Sequence, residues 1–255
     1  GIPRNGSGPW IELIGSAGSA PELRQLFDLA VRGELAGPVA VRALTALANA
    51  ARLRDAKPAG DISTLGTLLR AESPAARIAA VQLAGAWKLG ALAPRLIQAA
   101  GKAGASAAER SAAFAALRDM GGPTVVAELK KLTGTGANVS PEVRREAVVA
   151  LAGLNLSAAL PDVVAVLQAT TDETAAQTLW RGLLGIRGAS AKLAAELPNL
   201  ALPAAVARAG LRPAREGTQH QALVTVLLKA AGLTVSGVQL TAAELQALAR
   251  EALAK

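Results

Sequence analysis

The chain has 255 residues, 51% hydrophobic but only 2% aromatic, and its 27 Lys and Arg against 19 Asp and Glu give a formal charge of +8. That is ample apolar material for a core, built from Ala, Leu and Val rather than rings. The absence of Cys excludes a disulfide framework, a thiolate nucleophile, sulfur-ligated metal and c-type haem attachment within this stretch. No charge-free apolar run reaches the roughly 18 residues of a membrane-spanning helix.

Residues 1–8, GIPRNGSG, read as a polar, flexible arm. PWIELIG, from Pro9 to Gly15, predicts part of a helix, with Trp10, Ile11 and Ile14 expected at an open end. Its partner runs from Ala20 to Arg32, where Leu23, Leu26, Phe27 and Ala30 oppose Glu22, Gln25, Asp28 and Arg32. These make a first unit over 9–36. A second unit, 37–72, places Arg52, Arg54 and Lys57 in a basic turn between two helices.

The third unit, 73–104, shows the pattern most clearly. Its first helix, from Pro74 to Leu89, is apolar almost all round, broken only by Arg77, Gln82 and Lys88, as suits a helix packed on several sides. Its second is amphipathic, with Leu89, Ala93, Leu96, Ile97 and Ala100 on one stripe and Arg95, Gln98 and Lys102 on the other. Further units follow at 105–139, 140–170, 171–199 and 200–240. The last is irregular through Arg212, Pro213 and Arg215 before a helix from His220 to Ala231. TAAELQALAREALAK, residues 241–255, reads as a C-terminal capping or linker helix.

The units keep a period. Arg42, Arg77, Arg110, Arg144, Gln177 and Arg208 occupy equivalent places, at intervals of 35, 33, 34, 33 and 31 residues. Self-similarity at this spacing marks a stacked array, since each unit leaves apolar surface that only its neighbours can cover. Local chemistry agrees. Ser73-Pro74 and Ser140-Pro141 offer an N-cap acceptor and a proline at the first helical position. Ser106 with Glu109 and Thr241 with Glu244 have capping-box spacing, and Gly90, Gly121 and Gly232 stand where helices should stop. The expected fold is all-α, an α-α superhelix of about seven helix pairs.

The PxxR start, the apolar run, the terminal LG or GG and the leucine-rich second helix together resemble the HEAT or HEAT-like repeat family over nearly the whole chain. The resemblance implies a HEAT-like solenoid over 9–240. An aspartate often precedes the arginine helix in that family; here the column holds Glu72 and Asp172, so an Asp–Arg ladder is incomplete. AGLTVSGVQLTAAELQALAREALAK is similar to a junction in large exported bacterial proteins that join a propeller-type dehydrogenase region, HEAT-like repeats and a cytochrome c module with a CxxCH motif. That likeness implies an internal domain of a larger exported or periplasmic protein.

No residue set points to catalysis. His220 is the only histidine, and neither three further metal ligands nor a nucleophile and acid accompany it. Trp87 and Trp180 read as core, given the area an indole buries. Arg42, Arg77, Arg110, Arg144 and Arg208 are read as a structural column of caps and inter-unit hydrogen bonds. Lys130, Lys131, Arg144 and Arg145 are the candidate partner surface, expected to face solvent. GTGAN, after the fourth unit, lacks the strand and lysine of a phosphate loop and reads as a plain loop.

The resulting expectation is a non-enzymatic scaffold, spacer or protein-interaction module within a larger protein, without a cofactor of its own, positioning a redox domain if the cytochrome-linked likeness holds. The alternative is a basic nucleic-acid-binding solenoid, whose scattered charge implies weak, salt-sensitive binding.

Overall fold

The computed structural model describes residues 3–102, 104–134 and 138–233. Within them the chain is helical, without a strand. The predicted segment 241–255, with its Thr241 and Glu244 cap, and the middle of GTGAN lie outside the described residues.

The helices are α1 (Trp10–Ala17), α2 (Ala20–Val31), α3 (Gly37–Arg54), α4 (Pro74–Ala86), α5 (Ala93–Gly101), α6 (Ala107–Met120) and α7 (Gly122–Thr133). They continue as α8 (Pro141–Leu154), α9 (Leu156–Ala169), α10 (Glu173–Leu184), α11 (Ala189–Glu196), α12 (Ala204–Arg215) and α13 (Gln221–Ala230). The first helices of successive units, α1, α3, α4, α6, α8, α10 and α12, stack side by side as an inner row. The second helices form an outer row behind them, so the fold is an all-α helical-repeat superhelix.

Local sequence explains most boundaries. The Ser73, Ser106 and Ser140 hydroxyls accept the N–H of Ala76, Glu109 and Val143, satisfying amides that a helix start leaves unpaired. Gly121, with φ 62°, ends α6. Gly90 is not the residue that stops α4. Lys88 takes the left-handed conformation two residues earlier, at φ 55°, and the Leu89 N–H reaches back to Ala84. This is the Schellman arrangement with a lysine in the glycine's place.

Two units differ from expectation. In the second, α3 runs through Arg52 and Arg54, and its partner is a 3-10 helix, Ser63–Arg70, rather than an α-helix. The three predicted turn cations act between units instead. Arg54 donates to the carbonyls of Gly15 and Gly18 at the end of α1, Lys57 donates to the Trp87 carbonyl at the end of α4, and Arg52 pairs with Asp119 of α6. In the seventh, α12 is continuous across Arg212 and Pro213. A proline in the last turn removes one amide hydrogen bond without displacing the chain beyond it.

The core is a band of Ala, Leu and Val running between the rows. Trp87 and Trp180 are buried in it. Trp87 meets Phe27 of α2 edge-on, with centroids 5.3 Å apart, and the Trp180 indole N–H donates to the Val206 carbonyl at 2.9 Å. Ile11 is buried and Ile14 half-buried, because α3 covers that side of α1; Trp10, at 52% exposure, and Leu13 remain in solvent.

Candidate functional site

The arginines of the inner row show how one unit holds the next. Arg77 and Arg110 both occupy the fourth position of their helices, α4 and α6. Each folds back over its own helix start, Arg77 onto the carbonyls of Ala71 and Glu72 and Arg110 onto that of Ala105. Each then reaches a carboxylate of the following inner helix: Arg77 donates to Glu109 at 2.6 and 2.8 Å, and Arg110 to Glu146 at 3.3 Å. Arg42 reaches the other way, to Glu12 of α1 and the Gly6 carbonyl. Arg144 has the same fourth position in α8 and is half-buried. Arg208 differs: it is exposed and makes no hydrogen bond or ion pair among the described residues.

Glu109 has two tasks. It closes the capping box of α6 with the Ser106 N–H and hydroxyl while accepting Arg77 from the previous unit. The Arg77 hydrogen bond, followed by those from Ser106, brings its pKa from the ordinary 4.5 down to about 2. Asp172, the residue in the family-type aspartate column, caps α10 through the Ala175 N–H. Glu72 offers its backbone carbonyl to Arg77 instead of its side chain.

An open groove interrupts the inner row at α6, α8 and α10, with a volume of about 430 Å³. Its floor is apolar: Phe114 and Ala115 from α6, Val149 and Ala150 from α8, Leu179 from α10. Polar groups stand around it, Arg118 on one side, Asp172, Thr174 and Thr178 on another, and Glu142, Arg145 and Glu146 along α8. Most of these are already engaged. Glu146 holds Arg110, and Glu142 pairs with Arg145 at 3.4 Å. The Glu142 carboxyl lies below its usual range, through its own backbone N–H, the Ser140 hydroxyl and then Arg145. Arg118 is exposed, with no partner among the described residues.

The groove opens because of what crosses each seam. A Cβ on Gly85 of α4 would lie 2.7 Å from the Ala116 Cα of α6, so those two backbones touch. Between α8 and α10 the corresponding contact is Gly182 against the Val149 side chain, at 3.1 Å, and between α6 and α8 it is Gly153 against the Arg118 side chain. A side chain standing between helices holds their axes toward the wide end of the usual range.

The predicted partner surface is divided by this arrangement. Lys130 and Lys131 are exposed on α7 of the outer row, where Lys131 pairs with Glu128. Arg145 is instead turned into the groove, its side chain only 18% exposed. The expectation that Arg144 and Arg145 face solvent is therefore corrected. α8 is an inner helix with little free perimeter, so both of its arginines are half-buried.

His220 is buried at the start of α13, beside a smaller cavity of about 220 Å³ that Arg181, Glu216 and Gln219 also line. Among the described residues no group of His, Asp or Glu is placed to hold a metal ion, and no helix is long and apolar enough to cross a membrane. The groove itself was not predicted. Its one sequence signal is Gly182 in the last turn of α10, which marks a close approach only when the partner helix is known.

The fold and groove define a helical-repeat superhelix with an open inner face. Compared with protein-family models, curated proteins and solved structures, the chain matches none.

Proposed function

We propose that this chain is a non-enzymatic, HEAT-like scaffold that binds a protein segment along its inner helical row. The observation that supports this is the groove across α6, α8 and α10, where an apolar floor lies open between helices whose charged groups are mostly occupied in holding the array together. Such a surface offers area and shape rather than a reacting group, which suits peptide recognition between helices. Within a larger protein the same module would act as a docking arm, and the likeness of its tail to cytochrome-linked junctions makes a redox domain the neighbour this reading favours.

Selection from a displayed peptide library tests it, using the wild type and a variant with Ala115→Gln and Thr178→Gln, which fills the groove mouth with neutral side chains. Peptides recovered by the wild type and lost by the variant support the reading. Peptides bound equally by both, or none recovered, count against it.

A further inference from the structure

Five charged residues line the groove across α6, α8 and α10: Arg118, Glu142, Arg145, Glu146 and Asp172. Four of them are already held inside the array. Glu142 pairs with Arg145, Glu146 accepts from Arg110, and Asp172 caps α10 by accepting the Ala175 N–H at 2.7 Å. Arg118 alone makes no hydrogen bond or ion pair among the described residues, and it is exposed.

Its place is nonetheless set. Arg118 belongs to the last turn of α6, and its stem crosses to α8, where a Cβ on Gly153 would lie 3.2 Å from the Arg118 Cδ. A glycine there leaves room for the aliphatic stem to lie on the neighbouring helix while the guanidinium stays in water. α6 and α8 run the same way, since Arg110 near the start of α6 meets Glu146 near the start of α8, and Arg118 near the end of one lies on Gly153 near the end of the other. The two ends of the groove therefore differ in charge. Glu142 and Asp172 stand where α8 and α10 begin, and Arg118 stands where α6 finishes. Phe114, Val149 and Leu179 lie between them.

We infer that Arg118 selects the occupant of the groove: a partner-protein segment with apolar side chains for the floor, an Asp or Glu at the end that reaches Arg118, and no carboxylate at the other end. The inference rests on the reading of the groove as a peptide-binding surface and specifies the charge and direction of what binds. A guanidinium offers two parallel N–H donors that match a carboxylate. A carboxylate at the far end would face Glu142 and Asp172, where the nearby cation, Arg145, is already held by Glu142. From Glu142 to Gly153 α8 rises about 16 Å, a distance that an extended segment of about five residues spans. A nucleic acid fits less well, because its phosphates repeat along the strand and would meet Glu142, Glu146 and Asp172.

Selection from a displayed random-peptide library on the full chain, with sequencing of what is recovered, tests this. The wild type should recover peptides in which Asp or Glu is enriched on one side of an apolar motif. Arg118→Glu should recover Lys or Arg at that same place, and Arg118→Gln should keep the apolar motif and show no charge preference. A merely structural role for Arg118 would not reverse the preference. Lys130→Glu, at an exposed position on the outer row, should select as the wild type does, with thermal melting showing that all variants are folded. In fluorescence anisotropy the most enriched peptide should bind the wild type about fivefold tighter than its version with Gln in place of the acid, the scale of one charge pair left partly in water. Arg118→Gln should level the two. Recovered peptides without an acidic preference, a preference that Arg118→Glu leaves unchanged, or carboxylates enriched at both ends overturns the inference. If such peptides are still lost on Ala115→Gln and Thr178→Gln, the groove reading stands and this one alone falls. If no peptide depends on those substitutions, both fall.

Discussion

The seam between α4 and α6 and the seam between α8 and α10 join the same kind of helices in the same row, yet one is closed and the other is a groove. At the closed seam Gly85 lies on the Ala116 backbone; at the open one Gly182 lies on a valine side chain that also forms the groove floor. Arg77 grips Glu109 across the closed seam with two short bonds; the residue in the same position beside the open seam is Arg144 of α8. A repeat architecture opens a groove by relaxing its stacking at one place, through the residues that cross the seam rather than a change of fold.

The largest effect that would break this comparison is at Gly85. Gly85→Leu must push against backbone on α6, and overpacking of this kind costs about 3 kcal/mol. Chemical denaturation should show it as a lowered midpoint with an unchanged slope. A near-neutral result would mean the closed seam can open at no cost. Next in size is Glu109→Gln, which keeps the side chain's shape but removes the charge that Arg77 and Ser106 hold. The pair is about a quarter exposed, so about 1–2 kcal/mol is expected, toward the low end for hydrogen bonds to a charged group.

This loss should depend on pH in a definite direction. The folded Glu109 carboxyl titrates at about 2 against an ordinary 4.5. A depressed carboxylate pKa contributes stability that is complete above the unfolded value and disappears as pH falls through the folded one. Wild type and Glu109→Gln should therefore differ fully at neutral pH, converge as pH drops below about 4.5 and become alike near pH 2. Thermal melts across that range check it.

Arg54→Ala removes the cation that closes the carbonyls of Gly15 and Gly18 at the end of α1. A loss of about 1 kcal/mol follows from a helix C-terminus deprived of its charged partner. It should appear as faster amide exchange in α1 before the rest of the row. The smallest effect is at Gly182. Its new methyl would meet the Val149 side chain, which borders open space and can shift, while a helix gains up to about 1 kcal/mol when Gly becomes Ala. Gly182→Ala should leave stability unchanged or slightly raised, opposite in sign to Gly85→Leu.

What could be read from the sequence was what is decided locally. Serine caps depend on neighbours within a unit and the period near 33 residues is visible in one chain; Trp87 and Trp180 were legible as core from the size of the indole alone, although the groups they meet, Phe27 and Val206, lie in other units. The groove depends on Gly182 finding Val149, two residues from different units whose separation is fixed only by packing. Arg52, Arg54 and Lys57 were expected in a turn because basic residues followed a helical run; α3 is longer than its apolar pattern because its end is anchored by bonds to other units. Arg208, Arg212 and Arg215 of α12 do have a readable i, i+4, i+7 spacing, but Pro213 among them signalled a break that the last turn of a helix does not require.

Glu109 starts one helix and holds another, and that double use bears on how the array assembles. Ordering the first turn of α6 fixes the carboxylate in place for Arg77, and the arrival of Arg77 in turn discourages that turn from fraying. Nucleating a helix is the costly step in forming it. Here the gain from docking a neighbour is delivered to the residue that bears that cost, so the boundary between a folded and an unfolded stretch is disfavoured at this junction. In a one-dimensional array, stability is the sum of what each unit contributes and what each boundary costs. A single carboxylate that raises a boundary cost favours α4 and α6 folding and unfolding together.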